Sequence, residues 1–476
     1  MASLFRKNLS RLYWRARRKV VAYYSVAAYH AAFLPLPKRV EQYRKFEPRI
    51  AAYDHYDFYP PKPQGAQLHA IWVVDLITPS QLSIALKKMG KVSWGDSIAI
   101  NTNPDDWMES TRRLSSGGWR NLGAAAPFGA EYLGSITRFY RFPKSFDFAD
   151  FRVLSVTPSL SAVVGCFYLK EGQQSAYMSI LRGHHFPHGR PNLSGSVSIY
   201  DPRAIKKERI QLKRSALRSE LSTFMARNFG GFFSSNLPDK LPSVEVLELS
   251  LDASHRLKRA LFDDFDTWNS KYTGLTWSQA REAPPAHSVL CFTELTYNDF
   301  DLESWGGSNP SGLLNRLSFS LPANWTLQSI THLLAAYDGV VTKVRDNEFR
   351  PVTSFWRKKE LLRNQKTREM MDIRLVTSEI CQSEFSWLKS EMLDFSQDRF
   401  SSGNAESLKE ILIDSIKQRA ASVSLHQDNV NSARRDQNEN YAMFEMAKMA
   451  KYSLLATFIS IAIAGYALFV AMGRQP

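Results

Sequence analysis

Three of the chain's ten histidines, His184, His185 and His188, fall within the heptapeptide GHHFPHG. Imidazole binds metals and moves protons near neutral pH, so these residues could do chemistry. One reading is a divalent metal that activates water in a membrane-anchored hydrolase. The spacing favours a plainer one. Pro187, with Gly183 and Gly189, makes the stretch a turn. His184 and His185 are adjacent, so in extended chain their side chains point to opposite sides. A metal would also need ligands from elsewhere, such as His69, His255, His287 or carboxylates. A polar turn is therefore expected ahead of a metal site, with a pH-sensitive contact as a third reading.

Other chemistry-bearing patterns are missing. The glycine stretches GGSNPSG and SSGGWRNLG lack the lysine and spacing of a phosphate loop, and neither GxSxG nor HExxH occurs. Asp263, Asp264 and Asp266 lack the spaced loop of a calcium site and read as an exposed helix face. The three cysteines, Cys166, Cys291 and Cys381, lie far apart, which fits neither a disulfide scaffold nor a thiolate metal centre. No catalytic motif is identified, and whether the protein is an enzyme stays open.

The elements that must hold any site are easier to read. Tyr452–Met472, YSLLATFISIAIAGYALFVAM, carries no charge. As a helix it would be about 31 Å long, matched to a hydrocarbon core of roughly 30 Å. A single-pass transmembrane helix over 451–473 is expected, followed by a short tail, 474–476. Arg434, Arg435, Lys448 and Lys451 precede it and Arg474 alone follows, so the body is expected in the cytoplasm and insertion as a tail anchor. Ala456, Ser460 and Ala464 share one helical face, where small residues permit close helix packing and homo-oligomers. Three N-x-S/T sequons, at Asn8, Asn192 and Asn324, would matter only on a lumenal body.

The net charge is +15, and residues 1–50 hold 12 Lys/Arg against two Glu. Within this basic arm, Arg6, Lys7, Arg11, Arg15, Arg17, Arg18 and Lys19 alternate with Leu and aromatic residues at near-helical spacing. A basic amphipathic helix lying on anionic lipid is one expectation. An organellar transit peptide and a helix on the protein's own surface are the rivals. A second positive surface is expected on the helix Pro202–Asn228, whose basic residues include Lys206, Lys207, Lys213 and Arg214. It would touch lipid, an anionic protein partner or, less favoured, a nucleic-acid backbone; a merely solvated face is the plainer alternative.

The remainder reads as an α+β body over 51–350. Strands are expected at 68–78, 151–170, 174–181, 243–251, 288–297 and 316–322, and helices at 79–90, 202–228, 253–272 and 326–337. A helical hairpin or coiled-coil stalk should cover 351–450, with Leu362, Ile373, Val376, Ile380, Trp387 and Phe395 on its first apolar face. Leu408, Leu412, Ile416, Val423 and Val430 mark the second face. The function expected is a membrane-tethered scaffold or adaptor, with the metal-dependent hydrolase and nucleic-acid binding at a membrane as alternatives.

Overall fold

Residues 66–77, AQLHAIWVVDLI, form strand β1, buried on both faces along almost its whole length. A strand reads as a continuous apolar run when both of its faces are covered. In the computed structural model the described residues run from 66 to 472, apart from 93–103, 114–116, 130–136, 140, 183–187, 192–196, 201, 250–264, 281–286, 349–355 and 399–404. Residues 66–249 and 264–476 cluster as one unit; the other unit, 1–65 and 250–263, lies outside the described residues.

The strands following β1 are β2 (Gly118–Pro127), β3 (Thr137–Phe139), β4 (Phe146–Thr157), β5 (Leu160–Leu169), β6 (His188–Pro191) and β7 (Val197–Tyr200). Then come β8 (Ser243–Leu249), β9 (Phe265–Ser270), β10 (Thr276–Ala280), β11 (His287–Phe292), β12 (Phe395–Asp398) and β13 (Ala405–Ser407). Eleven of them make one mixed sheet in the order β13-β12-β9-β10-β11-β8-β1-β5-β4-β2-β3, and β6 pairs with β7 apart from it. Neighbours are antiparallel except β8 with β11 and β2 with β3.

The helices are α1 (Pro79–Met89), α2 (Pro104–Arg113), α3 (Glu171–Arg182), α4 (Pro202–Asn228), α5 (Phe232–Asn236) and α6 (Glu294–Asn298). They continue with α7 (Pro310–Ser320), α8 (Pro322–Glu348), α9 (Trp356–Gln382), α10 (Ser386–Glu391) and α11 (Leu408–Met472). Side chains alternate across a strand, so β1 assigns the layers. On one face, Phe151 and Phe167 meet Phe224 of α4 at ring separations of 5.8 and 5.7 Å. Gly165 opposes Phe151 there, and a Cβ at Gly165 would lie 2.8 Å from that ring, so only glycine leaves room. On the other face, Trp72 packs edge-on against Trp325 of α8 at 3.8 Å.

Helix α8 is buried on all sides from Ala323 to Leu334, as a helix sandwiched between two layers must be. Its outer cover is α9 and the first part of α11. Ile373, Val376 and Ile380 from α9, and Leu412, Ile416, Ala420, Val423 and Val430 from α11, are all buried. The expected stalk over 351–450 is therefore not one element. The two predicted faces exist, but they close on α8 rather than on each other alone. Nor does the first helix run to Phe395: α9 ends at Gln382, and Phe395 opens β12, which pairs with β9. Asn324 of α8 ties this segment down, donating to the Leu393 carbonyl (2.8 Å) and accepting from its N–H (3.1 Å).

Three other expectations change. Residues 174–181 belong to helix α3 and 316–320 to helix α7, not to strands. In α7 the buried Leu313, Leu314 and Leu317 recur at three- and four-residue steps, a helical period that a short apolar run hides. Residues 265–270 form strand β9 where a helix was expected, and 253–264 lie outside the described residues. The strands at 68–78 and 243–251 and the helices at 79–90 and 202–228 are found where expected, within a residue or two, while 151–170 is split between two strands, β4 starting five residues earlier at Phe146 and β5 following from Leu160.

Candidate functional site

The strongest concentration of buried charge lies where α3 and α4 cover β8 and β11. Glu245 projects from the middle of β8, 1% exposed. Arg214 of α4 grips it with both ends of its fork: Nε donates to Oε1 at 2.7 Å and Nη2 to Oε2 at 2.9 Å. The Tyr177 hydroxyl of α3 donates to Oε2 at 2.8 Å, and Nε2 of His287, from β11, stands 3.7 Å from the same oxygen. Burial alone would raise the carboxyl pKa, but Arg214 and then His287 hold it well below the usual carboxylate range. Burial and the nearby Arg214 lower His287 to about 4 against the pull of Glu245, so the imidazole is neutral at physiological pH. Burial also raises the Tyr177 hydroxyl, which stays protonated and donates.

This arrangement saturates Glu245 rather than freeing it for proton transfer. A carboxylate held by a bidentate guanidinium and a phenol is a charge lock between the helix layer and the sheet. A second polar knot ties β1 to β8 and α6: Glu248 accepts from the Tyr297 hydroxyl (2.5 Å) and pairs with His69 Nε2 (2.8 Å). His69 and His287, both candidate metal ligands by sequence, thus sit against different carboxylates.

Arg214 requires a correction. It was expected on a positive outer face, yet it is 6% exposed and its charge is spent inside on Glu245. Arg218, one turn further, is half-buried and donates to the Asp239 carbonyl at 3.3 Å. Lys213 lies along the flank, bonded to Gln173 Oε1 at 2.6 Å. Among the described residues, the exposed positions of α4 include Glu208, Arg209, Gln211, Leu212, Ser215, Ser219 and Arg227. Lys206 and Lys207 fall in the first turns of α4, with side chains outside the described set.

His184 and His185 lie outside the described residues, as do the arm positions Arg6, Lys7, Arg11, Arg15, Arg17, Arg18 and Lys19. His188 opens β6 opposite Tyr200, so GHHFPHG leads from a helix into a small hairpin. Among the described residues no group of three or more His, Cys, Asp or Glu is placed to hold a metal ion.

The other candidate is α11 itself. This single helix of 65 residues begins packed on the body and is exposed from Met446 to Ala467. One stretch of it, Ala442–Ala467, is long and apolar enough to cross a membrane, and none of its apolar window is buried. Ala456, Ser460 and Ala464 are exposed within it, and the Ser460 hydroxyl bonds back to the Ala456 carbonyl at 2.9 Å. Between Leu408 and Ala464 no proline or glycine interrupts the helix.

No protein family, no curated protein and no solved structure matches the chain. Sequence reasoning missed Glu245 and Tyr177 as interior groups. One signal was available: a glutamate between valines in SVEVLEL, a strand with apolar residues on both faces, demands a buried partner.

Proposed function

We propose that the protein is a single-pass, membrane-tethered scaffold whose folded body is carried at a set height above a bilayer, on the cytoplasmic side. The observation that carries this reading is the continuity of α11, which is core helix at one end and an unburied apolar helix at the other. From Val430, its last buried apolar residue among those described, to Tyr452 is 22 residues, or about 33 Å of helix. That exposed segment is a rigid spacer, with Lys448 and Lys451 at headgroup depth. The basic arm, Arg6 to Lys19, supplies a second contact with anionic lipid, and a protein partner docks on the body. The lysine and arginine excess before the span supports the cytoplasmic orientation.

Membranes from cells expressing the full chain, and a version ending at Tyr441, test the anchor by alkaline carbonate extraction. The full chain should stay with the pellet and the shortened one should not. Full release of the intact chain would overturn the reading. Protease added to sealed vesicles should digest the body from the cytoplasmic side; protection there would reverse the orientation. Flotation of the shortened chain with phosphatidylserine vesicles should fall when residues 1–34 are removed, and an unchanged yield would remove the arm from the proposal.

A further inference from the structure

The tripeptide Thr-Pro-Ser occurs at 78–80, where β1 passes into α1, and again at 157–159, where β4 turns into β5. Proline has no N–H, so such a turn leaves the threonine hydroxyl and the serine amide as neighbouring donors. In both places one carboxylate of α9 takes that pair. Asp372 Oδ2 accepts from the Ser80 N–H at 3.1 Å and from the Thr78 hydroxyl at 3.1 Å, a hydroxyl that also faces Gln81. Glu379 Oε2 accepts from the Ser159 N–H at 2.8 Å and the Thr157 hydroxyl at 2.6 Å, and its Oε1 accepts from the Ser159 hydroxyl at 2.5 Å.

The sheet explains the spacing. β1 and β4 flank β5, both antiparallel to it, and Ile77 and Ser155 both pair with Ser161, so the two turns lie at the same end of the sheet. Strands two places apart are separated by roughly 9.6 Å, and seven residues of helix rise about 10.5 Å while returning to the same face. Asp372 and Glu379 are seven residues apart. Helix α9 therefore lies across the strand ends with one carboxylate at each turn. Asp372 also supplies the acidic group that the first turn of α1 lacks. The same helix meets α11: Gln427, 2% exposed, donates through Nε2 to the Met370 carbonyl, two residues before Asp372. Gln427 lies within one turn of Val430, where the buried part of α11 ends among the described residues.

We propose that α9 is a brace that fixes the direction in which α11 leaves the body, with Asp372 and Glu379 as the positioning residues that fasten it to the sheet. Apolar burial holds α9 against α8, but burial is non-directional and resists sliding or rolling poorly. Bonds to two separate strands remove both freedoms. Glu379, with three short bonds, is the stronger fastening, and Asp372, with two longer ones, the weaker. The proposal rests on the membrane reading of α11 only for its purpose, which is to keep the body at one tilt over the bilayer.

The test uses the full chain in detergent, with Cys381→Ser removing the exposed thiol and nitroxide labels attached at Ser219→Cys on α4 and Asp436→Cys on α11, both exposed positions. Pulsed electron paramagnetic resonance reads the distance between the labels. The parent should give one narrow distribution. Glu379→Gln should broaden it, Asp372→Asn should broaden it less, and the double variant most. Ser159→Ala removes one bond to Glu379 without altering α9 and should broaden it less than Glu379→Gln, while Glu391→Gln, an exposed carboxylate elsewhere, should leave the parent distribution. Tryptophan fluorescence at the same temperature checks that each variant is folded. Bonds that merely stabilise the fold would lower the melting temperature and leave the distribution narrow, and that result overturns the brace, as does a broad distribution in the parent. Release of the intact chain from membranes by carbonate would remove the anchor and leave these distances standing.

Discussion

Replacing Glu245 by Gln removes one charge and almost no volume, so it isolates the electrostatics of the lock between α4 and the sheet. In the native protein the carboxylate accepts from Arg214 at 2.7 and 2.9 Å and from Tyr177 at 2.8 Å. Gln has one acceptor oxygen in place of two and brings an NH2 group that must face one of these donors. At least one charge-assisted bond is lost, and Arg214, 6% exposed, is left as a buried cation without a counter-charge. Removing one partner of such a pair costs about 3–5 kcal/mol. The pH dependence carries a sign. A carboxyl held below its ordinary 4.5 adds stability that is full above that pH and is lost as pH falls towards the folded value. His287, lowered from 6.5 to about 4, adds a loss of about 3 kcal/mol as pH falls across that window, since only the unfolded chain takes up the proton there. Urea unfolding of the full chain in detergent, followed by tryptophan fluorescence, should show Glu245→Gln weakened by about 3–5 kcal/mol at pH 7. The variant should also lose the part of the acid slope below pH 4.5. The double replacement Arg214→Met with Glu245→Leu should recover most of the loss, because neither charge remains buried. A Glu245→Gln loss below about 1 kcal/mol, or a double variant no better than the single one, would refute the reasoning.

Asp75 carries the opposite sign. Burial raises its carboxyl to about 6, and Oδ1 accepts from the backbone N–H groups of Phe233 (2.9 Å) and Ser234 (3.4 Å) while Oδ2 is buried without a partner. Its raised pKa means the native state is penalised as pH rises from 3.8 through 6, so Asp75→Asn should stabilise the protein by about 1–3 kcal/mol at pH 7.5 and by little at pH 4. Equal effects at the two pH values in the same urea assay would rule this out. In the membrane helix, Ser460→Leu should fill the close-packing face of Ala456, Ser460 and Ala464 and shift a detergent-solubilised oligomer towards monomer on a sizing column. An unchanged elution profile would remove that face as a contact.

The periodic parts of the chain were legible because their physics is local. Tyr452–Met472 has an uncharged length that suits a bilayer whatever lies around it, and Leu412, Ile416 and Val423 show a helical stripe in isolation. The strand 243–249 was equally plain. The short apolar runs at 174–181 and 316–320 misled because a few buried residues fit either a strand or one side of a helix. Leu313 and Leu317 become a stripe only once the sheet is in place to cover them.

The buried charges were not legible for a related reason. Sequence spacing says that Arg214 and Arg218 share a helix, but not which side of that helix meets a sheet, nor that Glu245 waits there. The residues of the lock come from α3, α4, β8 and β11, separated by up to 110 positions between Tyr177 and His287. By itself, the sequence determined a mixed α/β body, a basic beginning and one helix able to cross a membrane, since these follow from composition and local period. Only the tertiary structure decided that the supposed stalk is half core, and that Arg214, expected at a lipid surface, points inward onto Glu245. Packing two helix layers onto one sheet brings distant charges within a few ångströms in a medium where each must find its partner.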